Sequence, residues 1–177
     1  FNGNGKHYSL DPNVKNYRTD AHKQPIHGLI AYAKEWKVVD VKADGNKAEV
    51  TSRLQFYKYP DYMAQFPFAH TIDMTYRLQD GVLEVATSIE NHAVEPMPVS
   101  VGYHPYFKLH DAPRDQWKVR VPAREHMILS PQLVPTGETK PAQLANPMSL
   151  AGTQLDDVLT GLVRGESGRA EFSVEGT

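Results

Sequence analysis

Apolar residues in this chain recur mostly at every second position, in short runs separated by Gly, Asn, Asp and Pro. That is the pattern of half-buried antiparallel strands. Trp36 to Val41 leads into Ala43-Asp44-Gly45-Asn46, and Ala48 to Tyr57 follows, which predicts a hairpin with a short Gly-containing turn. Thr71 to Leu78 places Ile72, Met74, Tyr76 and Leu78 on one face. Gln79-Asp80-Gly81 then turns the chain into Val82 to Ile89, the clearest hairpin of the sequence. Trp117, Val119 and Val121 alternate with Lys118 and Arg120, Met127 to Leu129 is a short apolar run, and Ala170 to Val174 supplies a late strand. Helical periodicity is confined to two ambiguous stretches, Gln24 to Trp36 and Gln154 to Val163. Pro131 to Ser149 is rich in Pro, Gly and small polar residues and reads as a long loop over about 131–149, a length that commonly walls a binding cleft. Thirteen prolines and twelve glycines along 177 residues disfavour long helices. The expected class is all-β, an antiparallel β-sandwich in one domain spanning 1–177, with no internal repeat or composition shift.

Composition narrows the function classes. Hydrophobic residues make up 40%, enough for a real core, and 19 basic against 21 acidic residues leave a formal charge of -2. No broad positive field exists to attract a phosphate backbone, so nucleic acid is not an expected partner. No apolar window approaches the roughly eighteen residues of a membrane-spanning helix, and no basic-then-apolar leader opens the chain. A soluble protein without membrane partners is expected, with the cytoplasm slightly favoured over the periplasm. The absence of cysteine excludes disulfides, thiolate nucleophiles and cysteine-ligated zinc. His22 and His27 lie five apart and His104 and His110 six apart, neither with zinc-ligand spacing, so no metal site is expected. No phosphate loop, nucleophile elbow or dinucleotide fingerprint appears, so no cofactor is implied. Both ends read as cut: the chain starts at Phe1 without methionine and stops at Thr177 just after a strand-like run.

The stretch Pro96-Met97-Pro98-Val99-Ser100-Val101-Gly102-Tyr103-His104-Pro105-Tyr106-Phe107 carries the most chemistry. It sets an imidazole between tyrosines on a backbone stiffened by proline. Aromatic faces, Tyr106 among them, cover the C–H patches of a pyranose, and imidazole exchanges protons near neutral pH. On local spacing alone, a core histidine satisfied by a backbone carbonyl is the favoured reading. In Pro25-Ile26-His27-Gly28-Leu29 an imidazole sits beside a residue that permits close backbone approach, or that merely serves a surface turn. Leu155-Asp156-Asp157-Val158-Leu159 offers carboxylates for sugar hydroxyls. The alternative is a pair of acids at a helix N-terminus.

Taken in order, these elements resemble the aldose 1-epimerase (galactose mutarotase) family. The likeness rests on His27-Gly28 followed by Trp36, on Phe66-Pro67-Phe68, and on Tyr76 to Gly81 with its Asp-Gly turn. It rests also on Gly102-Tyr103-His104-Pro105-Tyr106-Phe107 and on Leu155-Asp156-Asp157. The resemblance implies a galactose mutarotase-like β-sandwich and cofactor-free interconversion of sugar anomers, with a small sugar as the only implied partner. It makes His104 the general acid toward the ring oxygen, His27 a hydrogen-bonding residue for the sugar, and Asp156 a ligand of sugar hydroxyls with Asp157 as the fallback. The family's arginine would precede Phe1 and its glutamate base would follow Thr177, since none of Glu166, Glu171 or Glu175 stands in the matching context. A hexose-6-phosphate 1-epimerase would need a phosphate-binding arginine cluster, for which Arg18, Arg53 and Arg124 are available. A carbohydrate-binding sandwich without catalysis, or a structural domain of a larger protein, are the remaining readings.

Overall fold

A computed structural model describes residues 1–176. The chain forms two compact units, Phe1–Val101 and a second from Gly102 onward. All strand pairs are antiparallel, and one six-residue α-helix is present among the described residues, in agreement with the all-β expectation.

In the first unit two ribbons come first, β1 (Asn2–Gly3) with β2 (Lys6–His7), and β3 (Arg18–Thr19) with β4 (Pro25–Ile26). A four-stranded meander follows: β5 (Lys37–Asp44), β6 (Lys47–Gln55), β7 (His70–Gln79) and β8 (Val82–Asn91), paired in that order. Both expected hairpins are present. Gly45 opens the β5–β6 turn at φ 54, while Asp80 and Gly81 both take positive φ between β7 and β8, as a two-residue type I′ turn requires. Strand alternation sorts the sheet into unlike faces. Glu49, Arg77 and Glu84 line up across three strands and pair, as do Arg53 and Asp73. Ile72, Met74, Tyr76 and Leu78 share the opposite face, as their spacing predicts. That face is buried at one end only, where Leu54 and Ile72 meet Phe56 and Tyr62 with Leu29, Trp36 and Ile89 packed around them. Phe56 and Tyr62 arrive on a segment between β6 and β7 that contains the helix α1 (Pro60–Gln65), which Pro60 starts at a position where its missing N–H costs nothing.

His70, at the start of β7, is buried in this core. Its Nδ1–H donates to the Phe68 carbonyl at 2.7 Å and its ring stacks on Phe56 with centroids 4.2 Å apart. Burial pushes the imidazole pKa below its usual value, His92 adds to this, and the bond to Phe68 opposes it. The folded state therefore holds His70 neutral, whereas the unfolded chain takes up a proton near the ordinary value of about 6.5. The His70 contribution is complete above that pH and is lost as pH falls toward the folded-state pKa. Thermal melts between about pH 7.5 and pH 5.5 should lose stability on acidification, with His70 contributing a slope of up to about 1.4 kcal/mol per pH unit. His70→Leu should flatten that slope; an unchanged slope would show that other groups set it.

The second unit contains two three-stranded sheets, ordered β11-β10-β13 and β12-β9-β14. Its strands are β9 (Lys118–Arg120), β10 (Ala123–Leu129), β11 (Pro135–Pro141), β12 (Met148–Ser149), β13 (Leu159–Leu162) and β14 (Ser173–Glu175). The expectation of one long loop over 131–149 is corrected here: the stretch carries β11 and β12. Composition concealed β11 because all seven of its residues are exposed and show no apolar alternation. Its prolines stand at the ends of an edge strand, where a missing N–H is tolerated. The ambiguous stretch Gln154–Val163 resolves into irregular backbone and β13, and Gln24–Trp36 into β4 followed by turns. The late strand starts at Ser173, three residues after the expected start.

Candidate functional site

Residues 101–109 run without strand or helix, and Pro105 withdraws a donor from any ladder there. A proline-stiffened coil holds its side chains outward. His104 is exposed, and its ring lies beside that of Tyr106 with centroids 5.1 Å apart and planes inclined by 34°. The core-histidine alternative is thereby overturned. Tyr106 is 91% exposed and Phe107 68%, an unusual amount of aromatic surface for a chain to leave unburied. An ionisable ring flanked by open aromatic faces is suited to a ligand that is apolar on its C–H face and polar at its edge.

Asp156 is exposed on the irregular segment before β13. No helix follows it, so the alternative of acids at a helix N-terminus is corrected. The two neighbouring aspartates differ. Asp157 Oδ1 lies 3.1 Å from Nε2 of His126 on β10, and Met127 N–H donates to the Val158 carbonyl at 2.8 Å. These contacts fasten the segment to the strand through Asp157 and Val158, and both aspartates are exposed. The His126 contact was not legible beforehand, because the register His126↔Leu159 that brings the two segments together is a tertiary feature.

His27 belongs to the first unit and directly follows β4. Its φ of 64 is left-handed, a conformation that costs a non-glycine residue about 1–2 kcal/mol, and Gly28 continues at φ 67. A strained histidine in an exposed turn is the kind of outlier from which a functional hypothesis properly starts. Nothing lies within 4 Å of where a Gly28 Cβ would stand, so Gly28 serves the dihedral and no close approach within the chain requires it. The structure thus brings His104 and Tyr106 together, sets Asp156 on an anchored segment of the same unit, and places His27 in the other unit.

Residues 1–161 match the family model described as Aldose 1-epimerase. The chain belongs to the aldose 1-epimerase family. A solved galactose mutarotase-like protein from Clostridium acetobutylicum is similar at 25% identity with a TM-score of 0.75, over 85% of this chain and 47% of that one. The chain therefore spans about half the length of that relative, and the antiparallel strands described above correspond to a galactose mutarotase-like β-sandwich fold.

For this aldose 1-epimerase family member the arginines weighed as a phosphate cluster fare differently. Arg53 is held by both carboxylate oxygens of Asp73, at 2.7 and 2.6 Å, and Arg124 lies on β10 of the other unit. Arg18 stands over the Tyr32 ring, 4.0 Å from its centroid. No helix among the described residues is long and apolar enough to cross a membrane.

Proposed function

We propose that the protein interconverts the α and β anomers of an aldohexose, with His104 as the general acid. In this reading His104 delivers a proton to the ring oxygen while a carboxylate takes the proton of the anomeric hydroxyl. The C1–O5 bond breaks to give the open aldehyde, rotation about C1–C2 presents its other face, and reversal of both transfers closes the opposite anomer. No net proton is consumed and no cofactor takes part. Tyr106 covers the apolar face of the sugar, and Asp156 accepts from its hydroxyls. The single observation that carries the proposal is the exposed His104–Tyr106 pair within a chain of this family.

The test follows the optical rotation of freshly dissolved α-galactose and α-glucose with the full-length protein, alongside calorimetric binding of the same sugars. Exchange faster than in buffer, in proportion to protein, is expected. Binding without acceleration would assign the chain to non-catalytic sugar recognition, and neither binding nor acceleration would end the proposal.

A further inference from the structure

The first unit contains a cavity of about 280 Å³ lined by Lys15, Tyr17, Arg18, Leu29, Tyr32 and Tyr62. We propose that it binds a small oxyanion-bearing molecule, a phosphate or carboxylate compound, through Arg18 and Lys15. The guanidinium carbon of Arg18 lies over the Tyr32 ring, 4.0 Å from its centroid. A cation over a ring face uses no hydrogen bond there, so the N–H groups of Arg18 stay available to an acceptor with two oxygens. Elsewhere in the unit such forks are already filled, that of Arg53 by Asp73 and that of Arg77 by Glu49 and Glu84. The ion pairs among the described residues include neither Arg18 nor Lys15.

The wall that carries these cations is built in advance. Gln65, 1% exposed, accepts from Asp11 N–H at 2.8 Å and donates from Nε2 to the Asp11 carbonyl at 2.7 Å and to Asn16 Oδ1 at 3.0 Å. Asn16 donates in turn to the Asp61 carbonyl at 3.0 Å. Four bonds thus pin the segment 11–16 to α1, and a ligand meeting a fixed wall loses little affinity to ordering it. Two acids lie near Tyr62: Asp61 on α1, and Glu35, whose carboxylate accepts from Tyr62 O–H at 2.6 Å and from Lys34 N–H at 2.8 Å. Tyr17, Leu29 and the ring of Tyr62 leave apolar surface for the body of the ligand, so the space suits an organic anion better than a bare one. Arg18 pairs with Ile26, so the cavity shares its ribbon with the left-handed turn at His27. His104 takes no part, and the inference stands independently of the isomerase proposal.

Calorimetry with inorganic phosphate, glucose 6-phosphate, glucuronate and glucose tests it, using the wild type, Arg18→Gln, Lys15→Gln and His104→Asn. Arg18 and Lys15 are exposed, and melting curves check that each variant folds. At least one anionic sugar should bind about tenfold or more tighter than glucose, and Arg18→Gln should lose about that factor, the scale of one charged hydrogen bond. Preference for glucose 6-phosphate with competition by inorganic phosphate identifies a phosphate ligand; preference for glucuronate identifies a carboxylate. Glucose binding as tightly as both anions would overturn the proposal. So would unchanged anion affinity in Arg18→Gln, or an equal loss in His104→Asn.

Discussion

Leu54→Ala is expected to lower the stability of the first unit by about 2–5 kcal/mol, measured by urea unfolding. Leu54 is 0% exposed and lies at the centre of the cluster with Phe56, Tyr62 and Ile72. Removing its isobutyl group opens a cavity that close-packed neighbours fill only in part. The same face of the sheet supplies the control. Leu78 is 51% exposed, and Leu78→Ala should change stability by no more than about 0.5 kcal/mol. Equal effects at the two positions would contradict the uneven burial described above. The core matters to the candidate site as well, because Leu29 and Ile30 pack against it and tie down the turn that displays His27 and Gly28.

The meander was legible in the sequence because its two faces differ in chemistry. Ile72, Met74, Tyr76 and Leu78 alternate with Asp73, Thr75 and Arg77, and the turn residues fix where each strand ends. What was hidden lacked one of those signals. β11 has no buried face and so no alternation, and α1 is six residues long, too short for a helical period to emerge. The second unit is built from strands of two to seven residues, and where partners are distant in sequence, as β14 is from β9, pairing is decided by tertiary contacts. The site divides in the same way. His104 and Tyr106 are two residues apart and so stand together in the sequence, but their exposure did not follow from it. The anchoring of Asp157 by His126, and the cavity beside Arg18, arise from segments that only folding brings together.

In the proposed reaction the imidazole at position 104 supplies the proton that lets the ring C–O bond break. Asparagine is nearly isosteric and can still donate a hydrogen bond, but it cannot transfer a proton at neutral pH. His104→Asn should therefore retain sugar binding while losing turnover. A single positioned proton transfer is worth about 10²–10⁴-fold, and the loss should fall in that range. Because His104 is exposed on a proline-stiffened segment, the substitution should leave the melting temperature unaltered. The decisive measurement is polarimetric anomer exchange of galactose by the full-length wild type and His104→Asn at equal concentration: a fall of about 100-fold or more is predicted, and equal rates would contradict the assignment of His104 as the acid.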